Sequence, residues 1–195
     1  MSKFFLKDDI LIEACENFQK QSFRNRTEIL SANGRLSLFI PLIKGKDQKT
    51  IIRDIKIDYN TNWQKQHSKS IESAYNSSPF YEYIISDFSF VFEKQEKYLF
   101  DLNLKIIDVL NEYLQFNKDI KFTSEYIPIV KNDLRNSIHP KAKMQQKDKL
   151  FIDKKYYQTF NDKYSFEHNL SILDLLFNEG AHSVSIIKKC ILQSI

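Results

Sequence analysis

The chain has 195 residues, which is enough for one domain with a buried core that needs neither a disulfide nor a metal ion. Its hydrophobic content of 42% and aromatic content of 14% exclude an intrinsically disordered protein. The net charge of +4 is spread along the sequence rather than concentrated in one segment. We therefore expect no nucleic-acid partner, because nucleic-acid-binding proteins usually gather their basic residues on one face.

The sequence shows no pattern for export, membrane insertion or metal binding. The N-terminus lacks the apolar core of a signal peptide, and no apolar run approaches the length that spans a bilayer. Cys15 and Cys190 lie far apart and belong to no metal-ligand pattern. We expect a cytoplasmic protein with two free thiols, no membrane span and no metal site.

Apolar runs and turn residues predict the strands of the first half. The run Ile10–Cys15 predicts a short, largely buried strand of the kind found in parallel sheets. Two apolar runs flank Asn33-Gly34, which favours a β-hairpin in which both of these residues take positive φ. Apolar and polar residues alternate from Ile51 to Asp58, which is typical of a half-solvated strand.

Helical spacing begins after residue 60. Trp63, Ile71 and Ala74 fall on one face of a predicted helix. The aromatic-rich run Phe80–Phe92 predicts a second, well-buried helix. The apolar positions between Leu99 and Tyr113 predict a long amphipathic helix.

The region after that helix predicts a strand, a long loop and another strand. The first strand is expected at Asp119–Ser124. The composition then turns polar and basic between residues 128 and 149, which predicts a long loop or lid of the kind that often carries function. A last strand is expected at Tyr156–Phe160.

Capping residues mark the helices at the C-terminal end. Ser171 with Asp174 resembles a capping box, and Gly180 is a typical helix stop. A final helix is predicted at His182–Gln193. Together these elements predict an α/β fold: residues 1–195 form a single domain with a mixed sheet, an Asn-Gly β-hairpin and a largely helical C-terminal half.

A polar segment behind the first strand is the strongest candidate for a binding site. It contains Gln19, Lys20, Arg24, Asn25 and Arg26. Paired guanidinium groups and amides favour an anion such as phosphate, because each guanidinium binds two oxygens at once. The alternative is that both arginines pair with acidic side chains of the protein itself.

Two histidines are candidates for a catalytic base. His67 lies one helical turn after Trp63, whose ring face suits stacking on a sugar or base, and Tyr75 and Asn76 follow further along the helix. The alternative is a core tryptophan with a structural histidine beside it. His139 precedes a proline in the predicted lid, where an acid–base role and no role at all fit equally well.

Amides and a carboxyl group near the Ser171 helix are the remaining candidates. Asn169, Asp174 and Asn178 fit recognition of sugar hydroxyls, and they fit helix capping equally well. With only three glycines, the chain lacks a phosphate-binding loop or dinucleotide fingerprint, and it has no serine-hydrolase elbow or zinc-protease motif. A kinase, a dehydrogenase and a serine hydrolase are therefore poor interpretations.

Several of these segments, in this order, resemble the WbqC-like family of bacterial proteins. The resemblance is carried by Ile12–Arg26, Ala32–Gly34, Trp63–His67, Ile71–Phe80, Leu99–Asn103, Asp133–Lys141, Tyr156–Phe160 and Asn169–Gly180. Family members usually begin with an additional strand, and this chain starts inside the helix that follows it. We therefore expect either that the assigned start site is wrong or that this copy is truncated and lacks that strand.

The resemblance implies a function in surface-polysaccharide synthesis. Some family members are encoded in O-antigen gene clusters, and glycine or other aminoacyl transfer to a sugar has been suggested for them. The implied partner is a nucleotide-linked or lipid-linked sugar. A non-catalytic scaffold of the same pathway and a nucleotidyl-transfer enzyme are the alternatives. Neither a cofactor nor an oligomeric state follows from the sequence.

Overall fold

The computed structural model describes residues 1–6, 9–43, 49–130, 133–135, 139, 148 and 150–192. Within these ranges the strands are β1 (Ile10–Ile12), β2 (Arg26–Ser31), β3 (Gly34–Phe39) and β4 (Ile120–Phe122). The α-helices are α1 (Trp63–Tyr75), α2 (Tyr81–Ile84), α3 (Ser89–Glu93), α4 (Leu99–Leu114), α5 (Ile172–Glu179) and α6 (Ser183–Lys189). Short 3-10 helices lie at Ser2–Phe5, Ile52–Asp54, Ile85–Phe88 and Gly180–His182.

Strands β1 and β4 pair in parallel, in the register Ile10↔Ile120 to Ile12↔Phe122. Both strands were predicted, and the first was predicted to belong to a parallel sheet. The expected burial is less complete, because the Leu11 side chain is 51% exposed. In the described residues this sheet has only two strands. Its carboxyl ends form the edge at which the candidate site lies.

Strands β2 and β3 form the predicted hairpin, paired antiparallel from Arg26↔Phe39 to Ser31↔Gly34. Its turn differs from the prediction. Only Gly34 takes positive φ (+97°), whereas Asn33 does not. The two loop residues are therefore Ala32 and Asn33, and the glycine is the first residue of β3.

The strand predicted from Ile51 to Asp58 is wrong. A 3-10 helix at Ile52–Asp54 breaks the alternation, so Ile52 is buried and Ile51 is 41% exposed. Beyond it Ile55 and Ile57 are buried as predicted. Isolated bridges to Asn17, Leu42 and Tyr98 replace a continuous ladder here.

The predicted helices α1 and α4 are confirmed, and the helix predicted at 80–92 is not continuous. The 3-10 helix at Ile85–Phe88 separates α2 from α3, and only Ile84 and Phe88 are buried in this run. Its many aromatic rings are too large to be covered on every side of one helix, which is why the run is less buried than predicted.

The C-terminal region contains the predicted helix α5 and a shorter last helix. Ser171 caps α5 by accepting the N–H of Leu173, and Gly180 ends it with φ +53°. No strand forms at Tyr156–Phe160, where that prediction is wrong. Most of the predicted loop at 128–149 lies outside the described residues.

Two hydrophobic clusters form the interior, and α4 contributes to both. The first core surrounds Tyr75 and Phe177 and includes Leu110 and Leu114 of α4. The second core surrounds Trp63 and includes Leu99 and Leu102.

The α/β class, the hairpin and the helical C-terminal half are confirmed. Across the part of the chain that the structure describes, the parallel and antiparallel pairings form two small sheets rather than one. None of the helices in the described ranges is long and apolar enough to cross a membrane.

Candidate functional site

A carboxylate lies at the carboxyl ends of the two parallel strands. Glu13 directly follows β1 and Thr123 directly follows β4, so the strand pairing brings them together. The Thr123 hydroxyl donates to Glu13 Oε1 at 2.7 Å. The backbone N–H groups of Cys15 and Ile127 donate to the same carboxylate at 2.8 and 3.1 Å. Glu13 is therefore held in one position at this edge, the place where ligands bind in open parallel sheets.

Arg135 adds a guanidinium to this edge. It binds Asp133 through two contacts, Nε to Oδ1 at 2.9 Å and Nη2 to Oδ2 at 2.5 Å. Its Nη1 lies 3.6 Å from Glu13 Oε2 and donates to the carbonyl of Ile127 at 3.0 Å. It lies over the Tyr126 ring, 5.4 Å from the centroid. The guanidinium thus connects two carboxylates with the loop after β4.

These contacts keep both carboxylates ionised. Burial alone would raise the pKa of Glu13, but the hydrogen bonds from Thr123 and two backbone N–H groups outweigh it and lower the pKa. The Arg135 guanidinium lowers the pKa of Asp133. At neutral pH the edge therefore presents fixed negative charge, which is able to orient a hydroxyl or amino group of a ligand.

The predicted anion-binding segment begins six residues after Glu13. Arg24 forms a two-contact ion pair with buried Glu16, Nε to Oε1 at 2.5 Å and Nη2 to Oε2 at 2.7 Å. Gln19 Oε1 lies 3.5 Å from Arg24 Nη1. The alternative interpretation, an arginine paired with an acid of the protein, therefore describes Arg24.

The other members of the segment are used differently. The Asn25 amide donates to the Ile40 carbonyl at 2.9 Å, and Arg26 Nε donates to the Ser22 carbonyl at 3.4 Å. Arg26 forms no ion pair with a described carboxylate. The Lys20 side chain is exposed. After Glu16 neutralises Arg24, the charges of Lys20 and Arg26 remain available to a ligand.

Two hydrogen bonds to backbone carbonyls join this part of the chain to α4 and to the 3-10 helix at Ile52–Asp54. The Asn103 side chain of α4 donates to the Arg24 carbonyl at 3.0 Å. The Ile52 N–H donates to the Glu16 carbonyl at 2.9 Å. The start of α4 and the 3-10 helix at Ile52–Asp54 therefore support the segment directly.

Trp63 and His67 lie together, with the Trp63 ring in the protein interior and His67 half-buried beside it. The Trp63 ring is 2% exposed, and its centroid lies 5.1 Å from that of His67 and 5.8 Å from that of Tyr59. Its buried Nε1 has no hydrogen-bond partner in the described structure. Burial lowers the pKa of His67, against a raising effect of the bond to the Phe39 carbonyl, so the imidazole is neutral at pH 7.

The structure brings Tyr75, Asp174 and Asn178 into one buried network. Asp174 accepts the Tyr75 hydroxyl at 2.8 Å and the Tyr156 hydroxyl at 2.7 Å. The Asn178 amide donates to the Asp174 carbonyl at 2.7 Å. Burial raises the pKa of Asp174, although these hydroxyl bonds act in the opposite direction. The capping box predicted for Asp174 is wrong, because its carboxylate binds tyrosines instead of the Ser171 N–H.

The remaining predicted residues lie apart from this network or at its margin. Asn76 is exposed just after α1. Asn169 takes φ +55° and, with Tyr156, lines a cavity of about 320 Å³. His139 is 5% exposed. The binding and catalytic roles of these residues stay predictions.

The strand-end carboxylate and its partners were not among the predicted site residues. These partners are Thr123, Asp133 and Arg135. The sequence did contain a signal for Glu13 and Thr123, because these two residues lie at the ends of two strands that the sequence predicted. Since parallel strands end at one edge, their pairing would have placed the two side chains together.

The fold and this edge define an α/β protein with an ordered, charged surface at the ends of a parallel strand pair. A model of the WbqC-like protein family matches residues 1–148. The chain belongs to this family, as the motifs predicted, and the candidate edge lies within the matched part.

A relative in Mycobacterium tuberculosis aligns with nearly the whole chain. It is named "Uncharacterized protein Rv1507c" and is 25% identical over 207 residues, which is 94% of this chain and 89% of the relative. That name assigns no activity. No solved structure matches the chain significantly.

Proposed function

We propose that this protein is a transferase that modifies a sugar during synthesis of O-antigen or another surface polysaccharide. The substrate is a nucleotide-linked or lipid-linked sugar bound at the carboxyl ends of β1 and β4. One observation carries this proposal: Glu13 is fixed at that edge by three hydrogen bonds, and a cationic segment follows six residues later in the chain. Such an edge offers a carboxylate for a sugar hydroxyl and cations for phosphate.

The phosphate groups are assigned to Lys20 and Arg26. Arg24 contributes less charge, because both carboxylate oxygens of Glu16 already bind the Nε–Nη2 edge of its guanidinium. Glu13 is better placed than Asp174 to orient a sugar hydroxyl, since its side chain is 8% exposed whereas the Asp174 side chain is fully buried.

The reaction proposed is aminoacyl transfer. A sugar amino or hydroxyl group attacks the activated carbonyl carbon of the aminoacyl donor, the new amide or ester bond forms, and the carrier leaves. A neutral histidine removes the proton of the attacking group. His67 and His139 are the two candidates, and the lowered pKa of His67 supports the neutral form that a base requires.

Calorimetric titration with UDP-N-acetylglucosamine, UDP-glucose and GDP-mannose tests the binding step. We expect at least one to bind, and the Lys20→Gln/Arg26→Gln variant to weaken binding by about tenfold or more. Lys65→Gln/Lys69→Gln, which removes two exposed cations of α1, is the matched control and should bind like wild type. Absence of binding, or equal loss in both variants, would refute the proposal.

A second candidate is a non-catalytic binding or scaffold protein of the same pathway. Exposed apolar side chains at the same edge favour it: Leu11 51%, Phe122 41%, Tyr126 53%, Val130 38% and Ile129 90%. Contiguous apolar exposure is typical of protein-binding surfaces. In this case His67→Gln and His139→Gln should leave polysaccharide synthesis in cells unchanged, whereas Ile129→Asp should abolish it.

A further inference from the structure

A pocket beside the strand-end carboxylate has features of a sugar-binding subsite. It is an open pocket of about 470 Å³, formed where the 3-10 helix at Ile52–Asp54 meets the start of α4 and the end of β4. The lining side chains used below are Arg53, Asp54, Phe100, Asp101 and Phe122.

Charged groups of this pocket are not used by the protein. Within the described residues, Arg53, Asp54 and Asp101 form no side-chain hydrogen bond and no ion pair. By contrast, Arg24 and Arg135 are each bound by a carboxylate through two contacts. Arg53 therefore keeps its donors free, although two carboxylates line the same pocket.

Two aromatic rings position the free guanidinium. The Arg53 guanidinium carbon lies 5.7 Å from the centroid of Phe100 and 6.0 Å from that of Phe122. The centroids of the two rings lie 5.9 Å apart, and the angle between the ring planes is 64°. Phe122 is 41% exposed, so an apolar ring surface adjoins free donors and acceptors. This combination matches a ligand with one apolar face and a rim of hydroxyl groups.

The charge balance separates a sugar ring from a phosphate. One guanidinium and two carboxylates give this pocket a net negative charge, which repels phosphate. The carboxylates accept hydroxyl or ammonium protons, and the guanidinium donates to hydroxyl or carbonyl oxygens. A neutral or amino-substituted pyranose therefore fits the pocket better than any anionic group.

The pocket adjoins both parts of the candidate site. Phe122 precedes Thr123, which holds Glu13. Arg53 follows Ile52, whose N–H binds the Glu16 carbonyl, and Asp101 lies two residues before Asn103, which holds the Arg24 carbonyl. The pocket thus shares chain neighbours with the residue that holds Glu13 and with the residues that support the cationic segment.

We infer that this pocket binds the pyranose ring of the substrate, with the ring stacked on Phe122 and its hydroxyl groups bound by Arg53, Asp54 and Asp101. The inference rests on the proposed function, because it assigns the sugar of that substrate to the pocket and the phosphates to Lys20 and Arg26.

The test uses UDP-N-acetylglucosamine, UDP and methyl N-acetyl-β-glucosaminide as probes, with calorimetry for the first two and saturation-transfer NMR for the glycoside. Phe122→Ala and Arg53→Gln are the variants, and both positions are exposed enough for the chain to fold. Tyr83→Ala, which removes an aromatic side chain that is 77% exposed on α2, is the matched control.

We expect Phe122→Ala and Arg53→Gln to lower the affinity for the nucleotide sugar by about tenfold or more, while the affinity for UDP is unchanged. Saturation of the glycoside ring protons should disappear in both variants and persist in Tyr83→Ala. If the nucleotide sugar binds all variants equally, the pocket assignment is overturned and the proposed function stands. If the glycoside is the one probe that binds wild type, and both variants lose this binding, the pocket assignment is supported and a nucleotide-linked substrate is ruled out. If no probe binds wild type, both proposals are overturned.

Discussion

Arg24 and Arg26 differ in what holds their charges, although they are two residues apart. Arg24 is bound through two contacts by Glu16, which is 7% exposed, whereas Arg26 has a single contact of 3.4 Å to a carbonyl oxygen. Removing one partner of a buried ion pair leaves the other charge without compensation in a poorly hydrated place. The two arginines should therefore respond oppositely in stability and in binding.

We expect Arg24→Ala to lower the free energy of unfolding by about 3 kcal/mol, as for other buried pairs that lose one partner. Arg26→Ala should change it by less than about 0.5 kcal/mol, because no described carboxylate depends on it. Urea unfolding followed by circular dichroism measures both. Equal effects would show that the Glu16 pair does not stabilise the fold.

Asp174 gives a prediction about pH. Its pKa in the folded protein is raised above the ordinary value of 3.8 by burial. The folded state therefore binds the proton more tightly than the unfolded state, and stability falls as the pH rises from about 3.8 through the folded pKa, by at most about 1.36 kcal/mol per pH unit.

The variant Asp174→Asn removes this titration. We expect the difference in unfolding free energy, wild type minus variant, to decrease as the pH rises from 4 towards neutrality and then to become constant. Urea titrations at intervals of pH give this difference directly. A difference that increases with pH would mean that the tyrosine hydrogen bonds, rather than burial, control the pKa of Asp174.

At the scale of elements, two glycines end or begin regular structure for different reasons. Gly34 (φ +97°) starts β3, and a β-carbon there would lie no closer than 3.9 Å to the Tyr164 hydroxyl. Gly180 (φ +53°) ends α5, and a β-carbon there would lie 2.8 Å from two Phe80 ring atoms. At Gly34 only the backbone conformation disfavours a β-carbon. At Gly180 both the backbone conformation and the lack of space disfavour it.

We expect Gly34→Ala to destabilise the protein by about 1 kcal/mol, the cost of positive φ for a residue with a β-carbon. Gly180→Ala should destabilise it by about 3 kcal/mol, because a steric clash adds to the backbone cost. Thermal and urea unfolding compare the two variants. Adding Phe80→Ala to Gly180→Ala removes the clash, and the stability recovered in this way should be smaller than the stability that Phe80→Ala alone loses. Equal losses in the two glycine variants would show that Phe80 moves aside.

At the scale of the whole molecule, α4 connects the two hydrophobic cores. Leu99 and Leu102 pack beside Trp63 in the second core, and Leu110 and Leu114 pack in the first. One continuous helix of 16 residues spans both. Loss of either core would expose one face of this helix, which couples the stability of the two parts.

We therefore predict that residues 1–195 unfold in one cooperative transition, as a single domain does. The fluorescence of Trp63, the single tryptophan of the chain, reports on the second core, and far-ultraviolet circular dichroism reports on all helices. Their urea midpoints should coincide. Separate midpoints would indicate two units that fold independently.

The sequence by itself determined the elements whose pattern is local. Helix α4, the face of α1 that contains Trp63 and Ala74, and the cap at Ser171 follow from spacing or from a single hydrogen bond to a near neighbour. The predictions failed at 51–58, 80–92 and 156–160, where alternating or aromatic-rich residues fit more than one kind of structure.

Only the tertiary structure decided which side chains meet. Glu13 and Thr123 are 110 positions apart, and Tyr75 and Asp174 are 99 apart. Sequence periodicity reports which face of an element is buried, but not which element covers it. The partner of a charged or polar side chain depends on that packing, and so the strand-end carboxylate and the pocket beside it became visible only in the folded chain.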